Sequence, residues 1–231
     1  MPRFQRYALY YAPPPGSALA QFGAAWLGWD AAAGGMVAHP DLPGLPQPVS
    51  TLSARPRKYG FHGTLKPPFA LAEGITADEL FEAAAALASG MPAFEIPRLE
   101  VKSIGSFLAI VPAGPVPPIA ALAASCVQEL DRFRAAPTLE ETAKRRALPL
   151  TPRQEALLQA WGYPYVLDEF RFHLTLTGPL DPSDLAAVEA ALTPKLADIL
   201  SPPQPVQDIC VFGEAEDDGR FHVITRLPLT G

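Results

Sequence analysis

The chain has 231 residues, of which 48% are hydrophobic and 18% charged, and this composition predicts a globular protein with a sizeable core. Its formal net charge of -6 argues against tight binding to long nucleic acid, which usually needs a basic surface, although a local basic cluster can still hold a small anion. No apolar run approaches the roughly 20 residues that span a membrane, and no secretory leader is recognisable. We therefore expect a cytoplasmic protein with no membrane partner, and its two cysteines, Cys126 and Cys210, are expected to be free buried thiols.

The first half of the chain predicts a strand, a helix, a long loop and then a strand-helix-strand-strand run. Aromatic and β-branched runs indicate strands, apolar residues at helical spacing indicate helices, and the loop is rich in Gly and Pro. The capping box Thr76-Ala-Asp-Glu79 marks the start of the second helix. In chain order the predicted elements are a strand at 6–12, a helix at 17–29, a loop at 30–58, a strand within 55–69, a helix at 76–89, and strands at 94–101 and 107–111.

The second half repeats this order after additional helical segments. A Pro-rich joint precedes the added helices, and Asp217-Asp218-Gly219 predicts the turn of the last hairpin. In chain order the predicted elements are a helix at 119–133, one or two short helices at 138–161, a strand at 170–177, a helix starting at 181–182, and strands near 206–212 and 221–226.

A tetrapeptide of the form His-x-Thr-Leu occurs once in each half, and it aligns the two halves. His62 precedes the strand that starts at Phe94 by 32 residues, and His173 precedes Val206 by 33 residues. The order and spacing indicate an internal duplication. The sequence thus predicts an α+β fold in a single bilobal domain over 1–231, with pseudo-symmetric lobes at 1–112 and 113–231. Mainly antiparallel sheets would line a central groove with helices outside, and 119–161 would be an extra helical segment.

Strand alternation predicts the chemistry of the paired motifs. Because side chains two residues apart share one face of a strand, His62 lies beside Thr64, and His173 lies beside Thr175. A duplicated fold would bring the two faces together across one cleft, with two imidazoles and at least two hydroxyls. Imidazoles can give and take protons near neutral pH, and hydroxyls can donate to anionic oxygens. This arrangement suits displacement at phosphorus, with a pH optimum expected near the imidazole range of roughly 6–7.

Basic and aromatic residues flank both motifs and predict an anionic substrate. Lys66 and Arg171 are expected on the histidine faces by strand parity. Tyr59 offers a ring for stacking or a hydroxyl for a phosphate oxygen, and Arg57 belongs to the basic run before the first motif. We therefore predict substrate-binding roles for Arg57, Tyr59, Lys66 and Arg171, and the alternative for each is a solvated basic loop.

Several other site classes find less support in the sequence. His39 and His222 lack a partner in the repeat, and lone histidines are usually structural. Two histidines could bind a metal, but no third ligand recurs at a fixed offset, so no metal and no cofactor are predicted. Walker, dinucleotide and Gly-x-Ser-x-Gly motifs are absent from the sequence.

The pair His62-Gly-Thr-Leu and His173-Leu-Thr-Leu resembles the two-histidine (2H) phosphoesterase superfamily. The run from Pro56 to Phe69 is similar to a bacterial branch of that superfamily named for phosphonate metabolism. The resemblance implies a bilobal α+β fold with a histidine-lined groove and catalysis without metal. It also implies acid and base roles for His62 and His173, with Thr64 and Thr175 holding the phosphate.

The sequence therefore predicts a metal-independent phosphoesterase that hydrolyses a cyclic phosphodiester in a small phosphorylated substrate, such as a ribose-type cyclic phosphate, with a link to phosphonate metabolism. Two alternatives stay open: an RNA-end 2′,3′-cyclic phosphodiesterase, and a non-catalytic protein that binds a phosphorylated metabolite. The identity of the substrate, the oligomeric state and the assignment of acid and base between the two histidines also stay open.

Overall fold

The computed structural model describes residues 3–147 and 149–231. Met1, Pro2 and Leu148, the last within the predicted helical segment 138–161, lie outside the described residues. The strands are β1 (Phe4–Tyr11), β2 (Trp29–Asp30), β3 (Gly35–Met36), β4 (Gly63–Phe69), β5 (Phe94–Ile96), β6 (Leu99–Ile104), β7 (Phe107–Pro112), β8 (Leu174–Thr175), β9 (Gln204–Val206), β10 (Asp208–Ala215) and β11 (Phe221–Pro228). The helices are α1 (Ala18–Leu27), α2 (Val49–Leu52), α3 (Ala54–Arg57), α4 (Ala77–Ser89), α5 (Pro117–Glu129), α6 (Leu139–Arg145), α7 (Pro152–Trp161) and α8 (Pro182–Leu200).

One seven-stranded antiparallel sheet organises the molecule, in the order β11-β10-β1-β4-β8-β7-β6. Two-stranded sheets form from β2 with β3 and from β5 with β9. The predicted α+β class is confirmed. The equivalent strands of the two halves pair with each other, β4 with β8 and β5 with β9, as an approximate twofold axis through the sheet requires.

The two halves of the sequence interleave, so they do not form separate lobes. The hairpin β6-β7 follows the first histidine motif but lies beside β8 of the second motif. Likewise, the β10-β11 hairpin follows the second motif but lies beside β1 of the first half. The predicted boundary between lobes 1–112 and 113–231 therefore does not divide the sheet. β8 is flanked by the β6-β7 hairpin of the first half, whereas β4 lies between β1 and β8.

Two predicted strands are shorter than expected, for local reasons. The predicted strand at 94–101 is divided by Pro97, which has no N–H for a ladder, so β5 and β6 join different sheets. The predicted strand at 170–177 is reduced to Leu174–Thr175, and the N–H groups of Leu176 and Thr177 both bond to the carbonyl of Leu108.

Helix caps in the sequence set the helix boundaries. Side chains of Ser17, Thr76, Thr138, Thr151 and Asp181 each accept from a backbone N–H in the first turn of α1, α4, α6, α7 and α8. The predicted helix at 119–133 is observed as α5 followed by a 3₁₀ turn, Asp131–Phe133.

The main hydrophobic core lies against one face of the sheet. Leu9, Leu65, Leu108, Ile110 and Leu174 are buried from the sheet side, against apolar side chains of α1, α4, α5 and α8. Cys126 and Cys210 are buried free thiols, as predicted. Among the helices of the described residues, none combines the length and hydropathy needed to cross a membrane.

Candidate active site

A single register contact between the two histidine strands arranges the candidate site. Gly63 pairs with Leu174 in the antiparallel contact between β4 and β8. In such a pair the neighbouring residues face each other in reverse order, so His62 lies across from Thr175, and His173 lies across from Thr64. Directly opposite side chains share one face with Cβ atoms about 4.5–5.5 Å apart. The four motif side chains therefore form a crosswise square on one sheet face, and Leu174 faces the core on the other.

The neighbouring strands extend this polar face. Tyr10 of β1 pairs with Thr64, and Ala109 of β7 pairs with Thr175. The Tyr10 ring stacks on the imidazole of His62, with ring centroids 3.7 Å apart and planes inclined by 23°. On the opposite side, the ring of Phe107 lies 5.7 Å from that of His173. Each imidazole thus has an aromatic neighbour from the adjacent long strand.

Hydrogen bonding orients the imidazole of His62. Its Nδ1 is 2.9 Å from the carbonyl oxygen of Gly60, and its Nε2 is 3.2 Å from Oγ1 of Thr64. A carbonyl oxygen only accepts, so Nδ1 carries the proton, and the Thr64 hydroxyl donates to Nε2. The unprotonated Nε2 of the neutral ring is therefore directed to the same face as the threonine hydroxyls.

His173 repeats this arrangement. Its Nδ1 lies 2.7 Å from the carbonyl oxygen of Arg171, which is again the carbonyl two residues before the histidine. By the same reasoning Nδ1 donates and Nε2 is left without the proton in the neutral ring. The duplication thus extends from the residues of the motif to the hydrogen bond that fixes the tautomer of each histidine.

Both imidazoles are poised in the neutral form. Burial lowers the pKa of His62 to about 4, against the opposing effect of the Gly60 carbonyl, and repulsion from His173 contributes in the same direction as burial. Burial also lowers the pKa of His173, and the carbonyl of Arg171 opposes that shift. Burial therefore makes protonation of either imidazole unfavourable when no ligand is bound. An anion bound between the two rings would favour the imidazolium form.

Of the four predicted substrate-binding residues, Tyr59 lies near the imidazole of His62. The ring of Tyr59 is 6.2 Å from that of His62 and stacks on Phe221 at 5.2 Å. Arg171 is exposed, and it lines a cavity of about 440 Å³ together with Lys102, Val111, Ile119 and Phe170. Phe172, the residue before His173, also lines this cavity.

Lys66 does not reach the groove. The prediction that its side chain lies on the same face as His62 and Thr64 is wrong. Tyr10 pairs with Thr64 whereas Leu9 pairs with Lys66, so β4 advances two residues while β1 advances one. This irregularity breaks the alternation after Thr64. The Lys66 side chain is only 2% exposed and donates to the carbonyl of Val127 and to Asp131, at 3.1 and 3.3 Å.

Arg57 also lies outside the site. Its guanidinium donates to the carbonyl oxygens of Leu27 and Ser50 and to the hydroxyl of Ser53, and it approaches His39 Nε2 at 3.2 Å. These contacts tie the Gly/Pro-rich segment 30–58 to the end of α1. Arg57 therefore stabilises a loop rather than contacting His62 or His173.

Sequence reasoning missed Tyr10, Arg6 and Tyr163. Tyr10 and Arg6 lie in β1, four residues apart, and only the pairing of β1 with β4 brings them to the motif. Tyr163 follows α7, and burial raises its pKa, with a smaller contribution from the nearby Tyr59. Arg145 of α6 lies 4.6 Å from the Tyr163 ring. Tyr163 packs against Val127, Leu157 and Val166, and so connects the added helical segment to α5.

Within residues 3–147 and 149–231, no three His, Cys, Asp or Glu side chains are grouped so that they could hold a metal ion. The groups that meet on the polar face are two imidazoles, hydroxyls and aromatic rings.

The fold and the site define an α+β protein with two opposed His-x-Thr pairs on one sheet face. The chain belongs to the family described as "Protein of unknown function (DUF1045)", which matches residues 64–222. The match begins at Thr64 of the first motif and includes the whole of the second.

Two curated relatives carry the name ribose 1,5-bisphosphate phosphokinase PhnN. The protein from Janthinobacterium sp. (strain Marseille) is 38% identical over 98% of this chain and 51% of its own length. The protein from Laribacter hongkongensis (strain HLHK9) is 35% identical over 94% of this chain and 50% of its own length. The chain therefore spans about half the length of these relatives.

Solved structures to which the chain is similar include a phosphoesterase and E. coli LigT in complex with 3′-AMP. The phosphoesterase is 15% identical, with a TM-score of 0.43, over 98% of this chain and 99% of its own. LigT is 16% identical, with a TM-score of 0.45, over 99% of this chain and all of its own.

Proposed function

We propose that this protein is a phosphoesterase of the two-histidine type that hydrolyses a cyclic phosphodiester in a small phosphorylated substrate. The observation that carries the proposal is the crosswise square, in which each imidazole faces the threonine of the other motif. A phosphate group seated between the histidines would meet a hydroxyl and an imidazole from each side. In-line displacement needs a base for the attacking water and an acid for the leaving oxygen, and the two imidazoles would supply both groups.

Within this proposal we assign different proton-transfer roles to the two histidines. His62 has the pKa lowered to about 4, so it is the neutral partner and would accept the proton of the attacking water at Nε2. The water oxygen forms a bond to phosphorus as the ester bond of the ring breaks. His173, protonated when the anionic substrate binds, would donate its proton to the departing alkoxide oxygen. Thr64 and Thr175 would donate to the non-bridging oxygens.

The names of the relatives favour a sugar phosphate as the substrate. Ribose 1,5-bisphosphate carries one phosphate on the anomeric oxygen, and opening a cyclic phosphate across the first two ribose oxygens would leave a monophosphate there. The phosphokinase activity itself is not proposed for this chain, because the chain spans half of those relatives and its sequence has no P-loop lysine motif. The proposed link to phosphonate metabolism rests on the resemblance of the run from Pro56 to Phe69, and the PhnN names of the relatives support it.

The direct test is turnover of cyclic phosphates by the purified chain. The panel should contain ribose 1,2-cyclic phosphate, 2′,3′-cyclic mononucleotides and an oligonucleotide ending in a 2′,3′-cyclic phosphate. We expect hydrolysis of the small substrates, with losses of about 10²–10⁴-fold in His62→Gln and His173→Gln. Losses in the double variant should fall short of the product of the single losses, because both groups act in one step.

Incubation with a strong chelator separates acid-base chemistry from metal chemistry. We expect the rate to be unchanged. If chelation abolished turnover and Zn²⁺ or Mn²⁺ restored it, the histidines would be metal ligands and the mechanism above would be wrong.

The alternatives predict different results on the same panel. An RNA-end phosphodiesterase would prefer the oligonucleotide, with an affinity that falls steeply with salt. A binding protein for a phosphorylated metabolite would hold the small ligands without turnover.

A further inference from the structure

We propose that Arg171 and Lys102, which line one cavity of about 440 Å³, form a subsite for a second phosphate group of the substrate. An arginine and a lysine are the two side chains that proteins use most for phosphate. This inference rests on the proposed function, since it assigns the remote part of a ligand whose cyclic phosphate lies between the histidines. The substrate class is then a small cyclic phosphodiester that also carries a phosphomonoester.

The cavity has a positively charged lining in an acidic protein. Lys102 and Arg171 line it, whereas no Asp or Glu of the described residues does. The whole chain has 24 acidic and 18 basic residues, so a cavity with two cations and no carboxylate departs from the overall balance. Its volume lies in the range of about 300–1,000 Å³ that is usual for sites of small ligands. Charge and size together suit a small anion.

Arg171 is available to a ligand. Its side chain is exposed, and it forms no ion pair with any carboxylate of residues 3–147 and 149–231. The acidic residues that precede it in the chain have other partners. Arg153 forms an ion pair with Asp168, and the side-chain amide of Gln154 donates to Glu169 at 3.0 Å. The guanidinium therefore keeps its charge and its donors for an anion.

Lys102 is the second cation, and its acidic neighbour Glu100 holds it weakly. Lys102 Nζ lies 3.6 Å from Oε1 of Glu100, which is two residues earlier on the same face of β6. The two side chains are 64% and 39% exposed, and an exposed ion pair of this kind is weak in water. Glu100 does not line the cavity, so a phosphate group there can compete for the ammonium group.

Strand pairing places Lys102 on the face of the sheet that carries the motif threonines. Thr175 of β8 pairs with Ala109 of β7, and Ala109 pairs with Lys102 of β6. Directly paired residues share a face, so Lys102 and Thr175 lie on one face, two strands or about 10 Å apart. Val111, two residues from Ala109 on that face of β7, also lines the cavity. The cavity therefore includes the side of the sheet on which the square lies.

The short chain between Arg171 and His173 joins the subsite to the reacting phosphate. Two residues span at most about 7 Å, so the Arg171 backbone cannot lie farther than that from His173. Nδ1 of His173 bonds to the carbonyl oxygen of Arg171 at 2.7 Å, which fixes the two residues relative to each other. Phe170 and Val111 are half-buried and line the cavity, so they offer an apolar surface to the carbon skeleton of a ligand.

The test uses the ribose-type cyclic phosphate of the panel that is hydrolysed fastest, with and without a phosphate on its primary hydroxyl. The wild type should prefer the doubly phosphorylated form by about 10–100-fold in kcat/KM, the usual worth of a hydrogen bond to a charged group. In Arg171→Met, which keeps the backbone carbonyl that orients His173, this preference should fall close to unity. Arg171→Lys should restore part of it, because the charge returns without the planar fork. Arg132→Met, at an exposed arginine outside the cavity lining, is the matched control and should keep the wild-type preference.

Lys102 and Glu100 give predictions of opposite sign. Lys102→Met should lower the preference for the doubly phosphorylated substrate, by less than Arg171→Met does, because Glu100 already offsets part of the lysine charge. Glu100→Gln should raise the preference about two- to fivefold, since it removes the carboxylate that competes for the ammonium group. If both variants changed the two substrates alike, the pair would only stabilise β6, and Lys102 would not belong to the subsite.

An equal preference in the wild type and Arg171→Met would overturn the subsite. A parallel loss on both substrates would do so too, because Arg171 would then act only through His173. Binding of ribose 5-phosphate separates this inference from the proposed function, since it needs no turnover. If no cyclic phosphate is hydrolysed, calorimetry should still show an affinity for ribose 5-phosphate that drops about 10–100-fold in Arg171→Met and is kept in Arg132→Met. No binding to the wild type, or equal affinities of the wild type and Arg171→Met, would rule the subsite out.

Discussion

Gly63 and Leu174 form the one register pair by which the two histidine strands meet, and that pair determines which side chains face each other. Each motif contributes an imidazole to one corner of the square and a hydroxyl to the next. A shift of one residue in the pairing of β4 with β8 would turn the histidine and threonine of one motif toward the core. The candidate site therefore depends on a contact that contains no catalytic side chain.

Gly63→Ala should damage the site more than the fold. A Cβ at this position would overlap the ring of Phe172, which is buried in the core. Because the ring must move, we expect the free energy of unfolding to fall by about 1–3 kcal/mol. The strand contact should also shift, with a loss of turnover far beyond what the change in stability explains. Denaturant unfolding and kinetics on the same preparation measure both.

Gly35→Ala is the matched control for that substitution. Among the described residues, no heavy atom outside the immediate chain neighbours lies within 4 Å of a Cβ built there. It should leave both stability and turnover near the wild-type values. If Gly63→Ala behaved in the same way, the β4-β8 contact would not determine the site.

Thr64→Val and Thr175→Val should lower turnover while the fold is kept. Each removes one hydroxyl that donates to a phosphate oxygen in the proposed mechanism, and the loss of one preorganised donor costs about 10–10³-fold in rate. Thr177→Val is a useful contrast, because the Thr177 hydroxyl oxygen accepts the N–H of Leu108 at 3.0 Å. That variant should lose about 1–3 kcal/mol of stability, since a buried N–H is left without its partner. If the Thr64 and Thr175 variants lost stability but not turnover, their hydroxyls would be structural as well.

Lys66→Met should leave turnover within a few-fold of the wild type. Burial lowers the pKa of Lys66, and its partner Asp131 keeps a second cation, because Arg134 donates to it at 2.8 Å. Removing Lys66 therefore leaves Asp131 paired with Arg134, and the free energy of unfolding should change by about 1 kcal/mol or less in either direction. A large rise in KM with unchanged stability would contradict this and would mean that Lys66 binds the substrate.

The different outcomes for Lys66 and the motif residues indicate what the sequence could predict. Alternation with period two holds over the three residues from His62 to Thr64, so the faces of the histidines and threonines could be deduced. It fails at Lys66, because the irregularity in β4 depends on its pairing with β1. Side-chain direction is therefore predictable within a motif, and becomes unreliable once a partner strand can alter the register.

The sequence does not predict that each hairpin joins strands of the opposite half of the chain. Order and spacing predicted two similar halves, and that similarity is present in the pairing of β4 with β8 and of β5 with β9. Which strand the β6-β7 hairpin joins depends on packing between distant segments. The same reason explains why Arg6 and Tyr10 were missed, since only tertiary pairing brings β1 to the first motif.

The pH dependence should separate the free protein from its complex. Because burial lowers the pKa of both histidines, the optimum of kcat/KM, which reports the free enzyme, should lie on the acid side of the range of roughly 6–7 expected for ordinary imidazoles. An anionic substrate favours the imidazolium form, so the optimum of kcat should lie at higher pH than that of kcat/KM. Coincident profiles near the ordinary range would contradict the lowered pKa values.

The stability of the folded chain should depend on the protonation of His62. The pKa of His62 is 6.5 before folding and about 4 in the folded chain, so the unfolded state binds more protons between these values. The contribution of the neutral imidazole is complete above 6.5 and is lost as the pH falls through about 4. Wild-type urea midpoints should therefore fall more steeply between pH 7 and pH 4 than those of His62→Gln. Parallel curves for the two proteins would mean that His62 titrates as a solvated histidine.

An NMR titration of the imidazole protons links this behaviour to the square itself. Repulsion from His173 contributes to the low pKa of His62, so His173→Gln should raise the pKa of His62 toward its ordinary value without restoring it, because burial is the larger cause. Lys195→Met, on a helix that packs against the core face, should leave the titration unchanged. If His173→Gln also left the His62 titration unchanged, the two imidazoles would be too far apart to act on one phosphate group.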